Sequence, residues 1–147
     1  MAVDIYDKFK TDAEGLGFKF SYGNAANKNL LASDRVADEI YMLLDPIVRL
    51  RAFSDNGGEG ITTFTGSFML VVKSNLDQVY DNQKGQTVTD GKYQKNIKTL
   101  LETELVRLED SINCSDYQIT NWSIIDVVNA LDANTDGVIV NYGISIL

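Results

Sequence analysis

The sequence predicts an α+β fold in which a mostly antiparallel β-sheet packs against one long amphipathic helix, with a short helix at the amino terminus. The long helix is predicted over residues 93–114, which contain neither glycine nor proline. Apolar residues recur there at the spacing of one stripe along a helix of about 3.6 residues per turn: Tyr93, Ile97, Leu100, Leu101, Leu105, Leu108 and Ile112. Such a stripe needs an apolar partner, and strand-like segments of matching length lie on both sides of it.

The amino-terminal segment predicts a short helix and then a brief strand. Apolar residues recur at helical spacing from Ile5 to Leu16, where glycines offer the backbone freedom that ends a helix. Aromatic and polar residues alternate over residues 18–22, which is typical of a strand. After a polar loop, the apolar run 40–44 is compatible with either a helix or a strand, and Asp45-Pro46 breaks it.

Two β-hairpins are predicted in the rest of the chain. Residues 48–53 and 61–73 alternate in the manner of strands and are joined by a glycine-rich connection near 54–60. Residues 119–128 and 138–147 form the second pair, and Asp136-Gly137 between them is a dipeptide that favours tight hairpin turns.

A chain of 147 residues predicts a single domain, 1–147, with extended loops near 54–60 and 74–91. The formal net charge of -8 opposes binding to nucleic acid and to anionic membranes over most of the surface. Histidine is absent, which excludes histidine bases, serine-histidine triads and histidine metal ligands. Cys114 is the only cysteine, so an intrachain disulfide and a thiolate zinc cluster are excluded as well.

The first residues of the sequence lack the basic start and apolar run of a secretory signal. No stretch reaches the roughly 18 to 20 apolar residues that a membrane span requires. We therefore expect a soluble protein that is made in the cytoplasm and has no membrane partner.

Residues 132–137 match the first half of a calcium-binding loop, with oxygen-bearing side chains at alternate positions before a glycine. Asp132, Asn134 and Asp136 are thus weak candidates for metal ligands. Gly143 stands where such a loop needs a bidentate glutamate, and a hairpin lacks the flanking helices. The preferred interpretation is a turn with local hydrogen bonds, so no metal site is predicted.

The remaining patterns predict neither a catalytic residue nor a cofactor. No carboxylates occur in a recognisable catalytic spacing, and charged residues of this kind usually lie on solvated faces. The glycines at positions 15, 17 and 23 do not form a phosphate-binding fingerprint, because no strand leads into them and no helix follows directly.

Charges along the predicted long helix run opposite to the order that its dipole favours. Its first turns carry Lys92, Lys95 and Lys98, and its later part carries Glu102, Glu104, Glu109 and Asp110. In one interpretation, packing of the helix against the sheet outweighs the small unfavourable interaction of these charges with the helix dipole. In the other, the basic end of one subunit meets the acidic end of the next, head to tail, and such contacts close into a ring.

Arg49 and Arg51 lie two residues apart, on one face of a predicted strand. They are either ordinary solvent-facing residues or contacts to an acidic neighbouring subunit or to a DNA-containing channel. Together with the helix charges, they are our candidates for a subunit interface.

The order of elements resembles the tail-terminator and tail-completion family of tailed bacteriophages, including neck proteins of crAss-like and other Bacteroides phages. The likeness spans most of the chain, its motifs are diffuse, and no invariant catalytic signature is among them. Three local segments prompt it: Phe20-Ser-Tyr-Gly23, Lys92-Tyr-Gln-Lys-Asn-Ile-Lys98 and Asn129-Ala-Leu-Asp-Ala-Asn-Thr-Asp-Gly-Val138. The resemblance implies a non-enzymatic virion protein that forms a homo-oligomeric ring of six or twelve subunits. Such a ring joins the portal or adaptor to the tail and surrounds the DNA channel without sequence-specific binding.

Two other functions remain compatible with the sequence. A monomeric intracellular binding or adaptor module would expose one apolar patch and stay monomeric at high concentration. A small enzyme that uses carboxylates alone would need paired acids with shifted pKa values in a deep pocket.

Overall fold

A computed structural model of the chain describes residues 4–23, 39–53, 60–73, 93–113, 116–130 and 135–146. These residues form one six-stranded sheet and two short helical regions. The helices are α1 (Ile5–Gly15) and α2 (Leu105–Asn113). The strands are β1 (Lys19–Tyr22), β2 (Ile40–Leu44), β3 (Val48–Ala52), β4 (Ile61–Lys73), β5 (Tyr117–Ala130) and β6 (Thr135–Ile146).

The strands lie in the order β1-β2-β4-β6-β5, and β3 also pairs with β4. All pairs are antiparallel except β1 with β2. The long strand β4 pairs with β6 from Thr63 to Lys73 along one edge. Its other edge is shared between β2, which pairs with residues 68–72, and β3, which pairs with residues 61–65.

The predicted fold class is wrong, because the chain is mostly β-sheet and does not pack that sheet against one long amphipathic helix. Helical structure does extend over residues 93–113, but only α2 within it is a regular α-helix of any length. The turns before α2 are π-helical, over Tyr93–Lys98 and Leu100–Glu104. The long element of the prediction is therefore a short α-helix preceded by wider turns.

The π-helical turns explain why the apolar stripe gave the wrong element. A π-helix closes hydrogen bonds from residue i to i+5, so its side chains do not follow a spacing of about 3.6 residues. The buried residues Leu100 and Leu105 are five positions apart, and Asn96 is buried beside Ile97. Tyr93, which the stripe placed in the core, is exposed. None of the helices in the described residues is long and apolar enough to cross a membrane.

Helix α1 begins at a capped amino terminus and packs an aromatic residue onto the sheet. The Tyr6 backbone N–H donates to Asp4 Oδ2 at 3.1 Å, which satisfies one of the free donors at a helix start. Phe9 is fully buried, with its ring centroid 5.0 Å from that of Tyr142 and 5.8 Å from that of Phe68. Lys8 links the two helices, because its ammonium group donates to the Ser111 carbonyl at 3.1 Å near the end of α2.

The two faces of the sheet differ in what covers them. We call the face that packs against α1 and α2 the helix side, and its core includes Met42, Phe68, Leu70 and Val140. The opposite face, which we call the open side, carries a smaller apolar cluster around Leu43, Met69 and Val71. Residues directly opposite each other in an antiparallel pair share a face, so the register assigns every strand residue to one side or the other.

Asp45 and Pro46 separate β2 from β3 along the edge of β4. The Ser67 hydroxyl donates to Asp45 Oδ2 at 2.5 Å, and the Asp45 backbone N–H donates to the Ser67 carbonyl at 3.0 Å. Proline cannot donate a ladder hydrogen bond, so the chain leaves the sheet here and re-enters it as β3. The apolar run 40–44, whose type the sequence left open, is thus a strand.

Asp136-Gly137 does not form the hairpin turn that the dipeptide predicted. Both residues lie within β6, paired with Val72 and Val71 of β4, while residues 131–134 lie outside the described part of the chain. The backbones of β4 and β6 approach each other closely at Gly137. A Cβ atom at this position would overlap the carbonyl oxygen of Leu70, so a glycine is needed. The glycine is thus required by packing in the middle of the sheet.

We expect Gly137→Ala to lower the free energy of unfolding by about 1 to 3 kcal/mol or more, because the added methyl group forces β4 and β6 apart. Urea unfolding followed by circular dichroism measures the change. Gly15→Ala is the matched control, since its Cβ would meet no atom within 4 Å and lies at the end of α1. A Gly137→Ala protein as stable as the control would contradict the close approach.

Candidate interaction surface

The hairpin of β3 and the beginning of β4 exposes a group of apolar side chains, which we call the hairpin patch. Its members are Val48, Leu50, Phe53 and Ile61, with 60%, 62%, 71% and 64% of their surface exposed. Every residue of β3 is exposed, although the strand is paired to β4 along its whole length. Val48, Leu50 and Ile61 share the open side of the sheet, and Phe53 follows the end of β3. Exposed apolar side chains grouped on an edge strand are typical of a protein-protein contact.

Strand β3 places its basic and apolar side chains on different sides of the sheet. Arg49 lies opposite Phe64, a residue of the core beneath the helices, so Arg49 and Arg51 belong to the helix side. Val48 and Leu50 lie opposite Thr65 and Thr63 and belong to the open side. The two arginines share one face, as the alternation predicted.

Arg49 already has a partner within the chain. Its guanidinium donates to both carboxylate oxygens of Asp4, from Nη2 to Oδ2 at 3.0 Å and from Nε to Oδ1 at 3.3 Å. Both side chains are substantially exposed, so solvent screens the pair. The Arg49 guanidinium holds the pKa of Asp4 below its ordinary value of 3.8. The pair joins the cap of α1 to β3, and thereby anchors the hairpin to the first helix.

Arg51 differs from Arg49, because its guanidinium lies over the ring of Phe53 at 5.8 Å from the centroid. No ion pair of Arg51 occurs within the described residues. No described carboxylate therefore neutralises its charge.

The opposite edge of the sheet is formed by β5, which also exposes apolar side chains. Ile125 is 55% exposed and lies opposite Ile139, a neighbour of the open-side cluster. Ile124 and Asp126 lie opposite the core residues Val140 and Val138 and belong to the helix side. All three side chains are exposed.

The charges proposed along the predicted long helix make contacts within their own helical region. Lys98 Nζ lies 4.0 Å from Glu102 Oε1, one turn away. Arg107 Nη1 donates to Glu104 Oε2 at 2.7 Å. Lys92 lies outside the described residues, and Lys95 lies in the first π-helical turn with its side chain outside the described part. The charge pairs therefore reduce the helix charge that is available to a neighbouring subunit, and the head-to-tail contact between helices stays a prediction.

Glu109 and Asp110 follow on α2 in different surroundings. Asp110 is exposed, whereas Glu109 is half-buried near Trp122. Burial raises the pKa of Glu109, and the charge of Asp110 raises it further. A partly buried carboxylate with a neighbouring like charge is a poor partner for a distant lysine, so Asp110 is the more accessible of the two acids.

Of the three weak metal candidates, the structure describes only Asp136. Its carboxylate is fully buried and accepts a hydrogen bond from Asn96 Nδ2 at 2.9 Å. Asp132 and Asn134 lie outside the described residues. Within the described ranges no group of three acidic or cysteine side chains could hold a metal ion. Asp136 contributes a buried polar contact between β6 and the π-helical turns.

Sequence reasoning identified the two arginines but missed the hairpin patch and the exposed part of β5. Apolar and basic residues alternate over 48–52, but this pattern predicts a strand with one buried face and one solvent-exposed face. Exposure of the helix side of β3 depends on how far the helices extend over the sheet, and the open-side cluster contains no helical residue. The excess of apolar residues on a strand beside Asp45-Pro46, a typical edge position, was the available signal.

We expect Arg49→Gln to lower the free energy of unfolding by no more than about 1 kcal/mol at neutral pH, because the pair is exposed. The pair with Arg49 lowers the pKa of Asp4 in the folded state. The contribution of this pair to the free energy of unfolding is therefore present above pH 3.8, and it is lost as the pH falls through the lower pKa of the folded state. Urea unfolding at a series of pH values measures this, and the two stability curves should converge in acid.

Arg51→Gln is the control for this experiment, because Arg51 does not contact Asp4. Its effect on stability should not change as Asp4 titrates. Curves for Arg49→Gln and the wild type that remain parallel into acid would show that the pair does not lower the Asp4 pKa.

Comparison of the sequence with protein-family models and with curated proteins gave no match.

Proposed function

We propose that the chain is a structural virion protein that forms a homo-oligomeric ring at the head-to-tail junction of a tailed bacteriophage, as a tail terminator or tail-completion subunit. The observation that carries the proposal is the hairpin patch, an apolar surface on an edge strand with no cover from the helices. The resemblance of three sequence segments to phage neck proteins supports the specific setting.

The assembly part of the proposal follows from the energetics of exposed apolar surface. Burial of such surface stabilises a contact by about 25 cal/mol per Å². Four large apolar side chains grouped at one end of a sheet therefore favour association with another surface. A second copy of the chain is always present at the same concentration, and head-to-tail contacts between identical copies form a ring where the rotation from one copy to the next closes.

The charge of the protein fits a role around DNA that does not involve tight binding. A net charge of -8 repels a polyanion, so DNA passing through such a ring would not be held. The proposed partners are other copies of the chain, the portal or adaptor, and tail proteins, and the proposed location is the neck of the virion.

A monomeric binding or adaptor module is the alternative that the same patch allows, because a different protein could cover it. The two functions differ in the mass of the isolated protein. The carboxylate enzyme has less support, because described acidic residues already have partners within the chain: the exposed Asp4–Arg49 pair, the largely buried Lys8–Asp12 pair and the hydrogen bond from Asn96 to Asp136.

We expect native mass spectrometry of the purified protein to show a closed oligomer of six or twelve copies. Leu50→Ser should shift this oligomer toward monomer, because it removes an apolar side chain from the centre of the hairpin patch. Val106→Ser is the matched control, since Val106 is an exposed apolar residue on α2. A wild-type protein that is monomeric at the highest attainable concentration would contradict the ring.

A further inference from the structure

We infer that β3 of one copy pairs with β5 of the next copy, so that the sheets of neighbouring copies join edge to edge into one continuous sheet. This inference rests on the proposed assembly and names the contact that forms it. The two strands contribute different surfaces of the same molecule, as a head-to-tail ring requires.

Each of these two strands has a second edge that no described strand occupies. Among the described residues, β3 pairs only with β4, and β5 pairs only with β6. The outer edge of each strand thus presents backbone N–H and C=O groups that a further strand can pair with. Adding a strand to such an edge supplies main-chain hydrogen bonds, while the alternating side chains give specificity.

The strand directions within the sheet set the direction of this pairing. Strand β3 is antiparallel to β4, β4 to β6 and β6 to β5, so β3 and β5 run in opposite directions. A second copy placed in the same orientation beside the first therefore sets its β3 antiparallel to the β5 edge. Its helix side also continues the helix side of the first copy.

Side chains on the open side match across this contact. Leu50 and Ala52 lie on the open side of β3, and Ile125 and Val127 lie on the open side of β5. Apolar groups therefore face apolar groups on that side. Cross-strand pairs of apolar side chains each contribute roughly 0.2 to 1 kcal/mol to a sheet.

Charges match on the helix side, and they fix the register. Asp126 is exposed on β5, with no ion pair to the rest of the described chain. Arg49 is held by Asp4, which leaves Arg51 as the available cation on β3. Placing Arg51 opposite Asp126 sets Ala52 opposite Ile125 and Leu50 opposite Val127, which keeps each pair on its own side.

The rest of the sheet limits how far this register can slide. Strands β2 and β3 lie end to end along the same edge of β4, and β1 pairs with the outer edge of β2. A β5 strand added to the outer edge of β3 would therefore lie in line with β1. Strand β5 has one extra residue between Val127 and Ala130, so with Arg51 opposite Asp126 its last residue, Ala130, falls opposite Val48. The added strand thus ends before Pro46 and does not overlap with β1.

A symmetric pairing of two β3 strands is disfavoured by the same side chains. In an antiparallel pair centred on Leu50, Arg49 of each copy would lie opposite Arg51 of the other. Like charges directly opposite each other destabilise a sheet. The β5 edge carries an acid at the matching position, which favours the head-to-tail contact over a closed dimer.

The first test uses charge reversal and native mass spectrometry. Arg51→Asp and Asp126→Arg should each raise the concentration needed for half-assembly about tenfold, because an attractive pair becomes a repulsive one. The double variant Arg51→Asp/Asp126→Arg should restore assembly. Lys10→Glu is the control, since Lys10 is exposed on α1 and lies outside both edges.

The second test maps the contact directly by disulfide formation in a Cys114→Ser background. A mixture of Ala52→Cys protein and Ile125→Cys protein should give a cross-linked dimer under mild oxidation, because these positions are opposite in the register. A mixture of Ala52→Cys and Val106→Cys proteins should not, although Val106 is also exposed.

The outcomes separate this inference from the proposed function. If the wild type assembles but the charge reversals leave its mass unchanged and Ala52→Cys does not cross-link to Ile125→Cys, then the edge pairing is wrong and the ring uses another surface. If the wild type stays monomeric and no cross-link forms, both are wrong. Loss of assembly in the single variants together with rescue in the double variant supports the edge pairing.

Discussion

The structure depends on the pairing of β4 with three other strands. This strand is 13 residues long, and β6 pairs with it from Thr63 to Lys73 along one edge. Two separate short strands, β2 and β3, fill the other edge, because Asp45 and Pro46 interrupt the ladder between them. The half of β4 that pairs with β2 contributes Phe68 and Leu70 to the helix-side core. The other half pairs with β3, in which every residue is exposed.

The exposure of Arg49 and Arg51 on the helix side of β3 follows from the limited length of the regular helices. Val48 and Leu50 lie instead on the open side, where the apolar cluster contains no helical residue. The regular helices contain 11 and 9 residues, and at about 1.5 Å per residue they span roughly 17 and 14 Å. Thirteen residues of extended strand span about 43 Å, so two short helices cannot cover all of β4. The uncovered end carries the hairpin patch, and the Asp4–Arg49 pair anchors this end to α1.

The same arrangement gives the molecule two different sheet edges, one with arginines and one with an aspartate. Their chemistry is complementary only when a second copy has the same orientation as the first. The proposed assembly is therefore linked to the fold, because the antiparallel pairings that place β3 and β5 on opposite edges also make these two strands antiparallel. The helix charges contribute less to this picture, since Lys98 lies near Glu102 and Arg107 pairs with Glu104 within one helical region.

The sequence by itself determined the local elements whose signal depends on near neighbours. The helix at Ile5–Gly15 has a regular apolar spacing and an aspartate cap, and β3 alternates apolar and basic residues before a glycine-rich connection and the β-forming residues of β4. The break at Pro46 follows from the chemistry of proline alone. The shared face of Arg49 and Arg51 follows in the same way from the period of a strand.

Only the tertiary structure decided how those elements share the core. The apolar stripe of residues 93–113 did not reveal that its first turns are π-helical, because π-helical turns are stabilised by contacts with other elements. Gly137 appeared as a turn residue and instead allows two strands to approach, which depends on residues far away in the chain. The exposure of Leu50 and Ile125 likewise depends on which strands lie at the edges of the sheet, and this is set by pairings between distant segments.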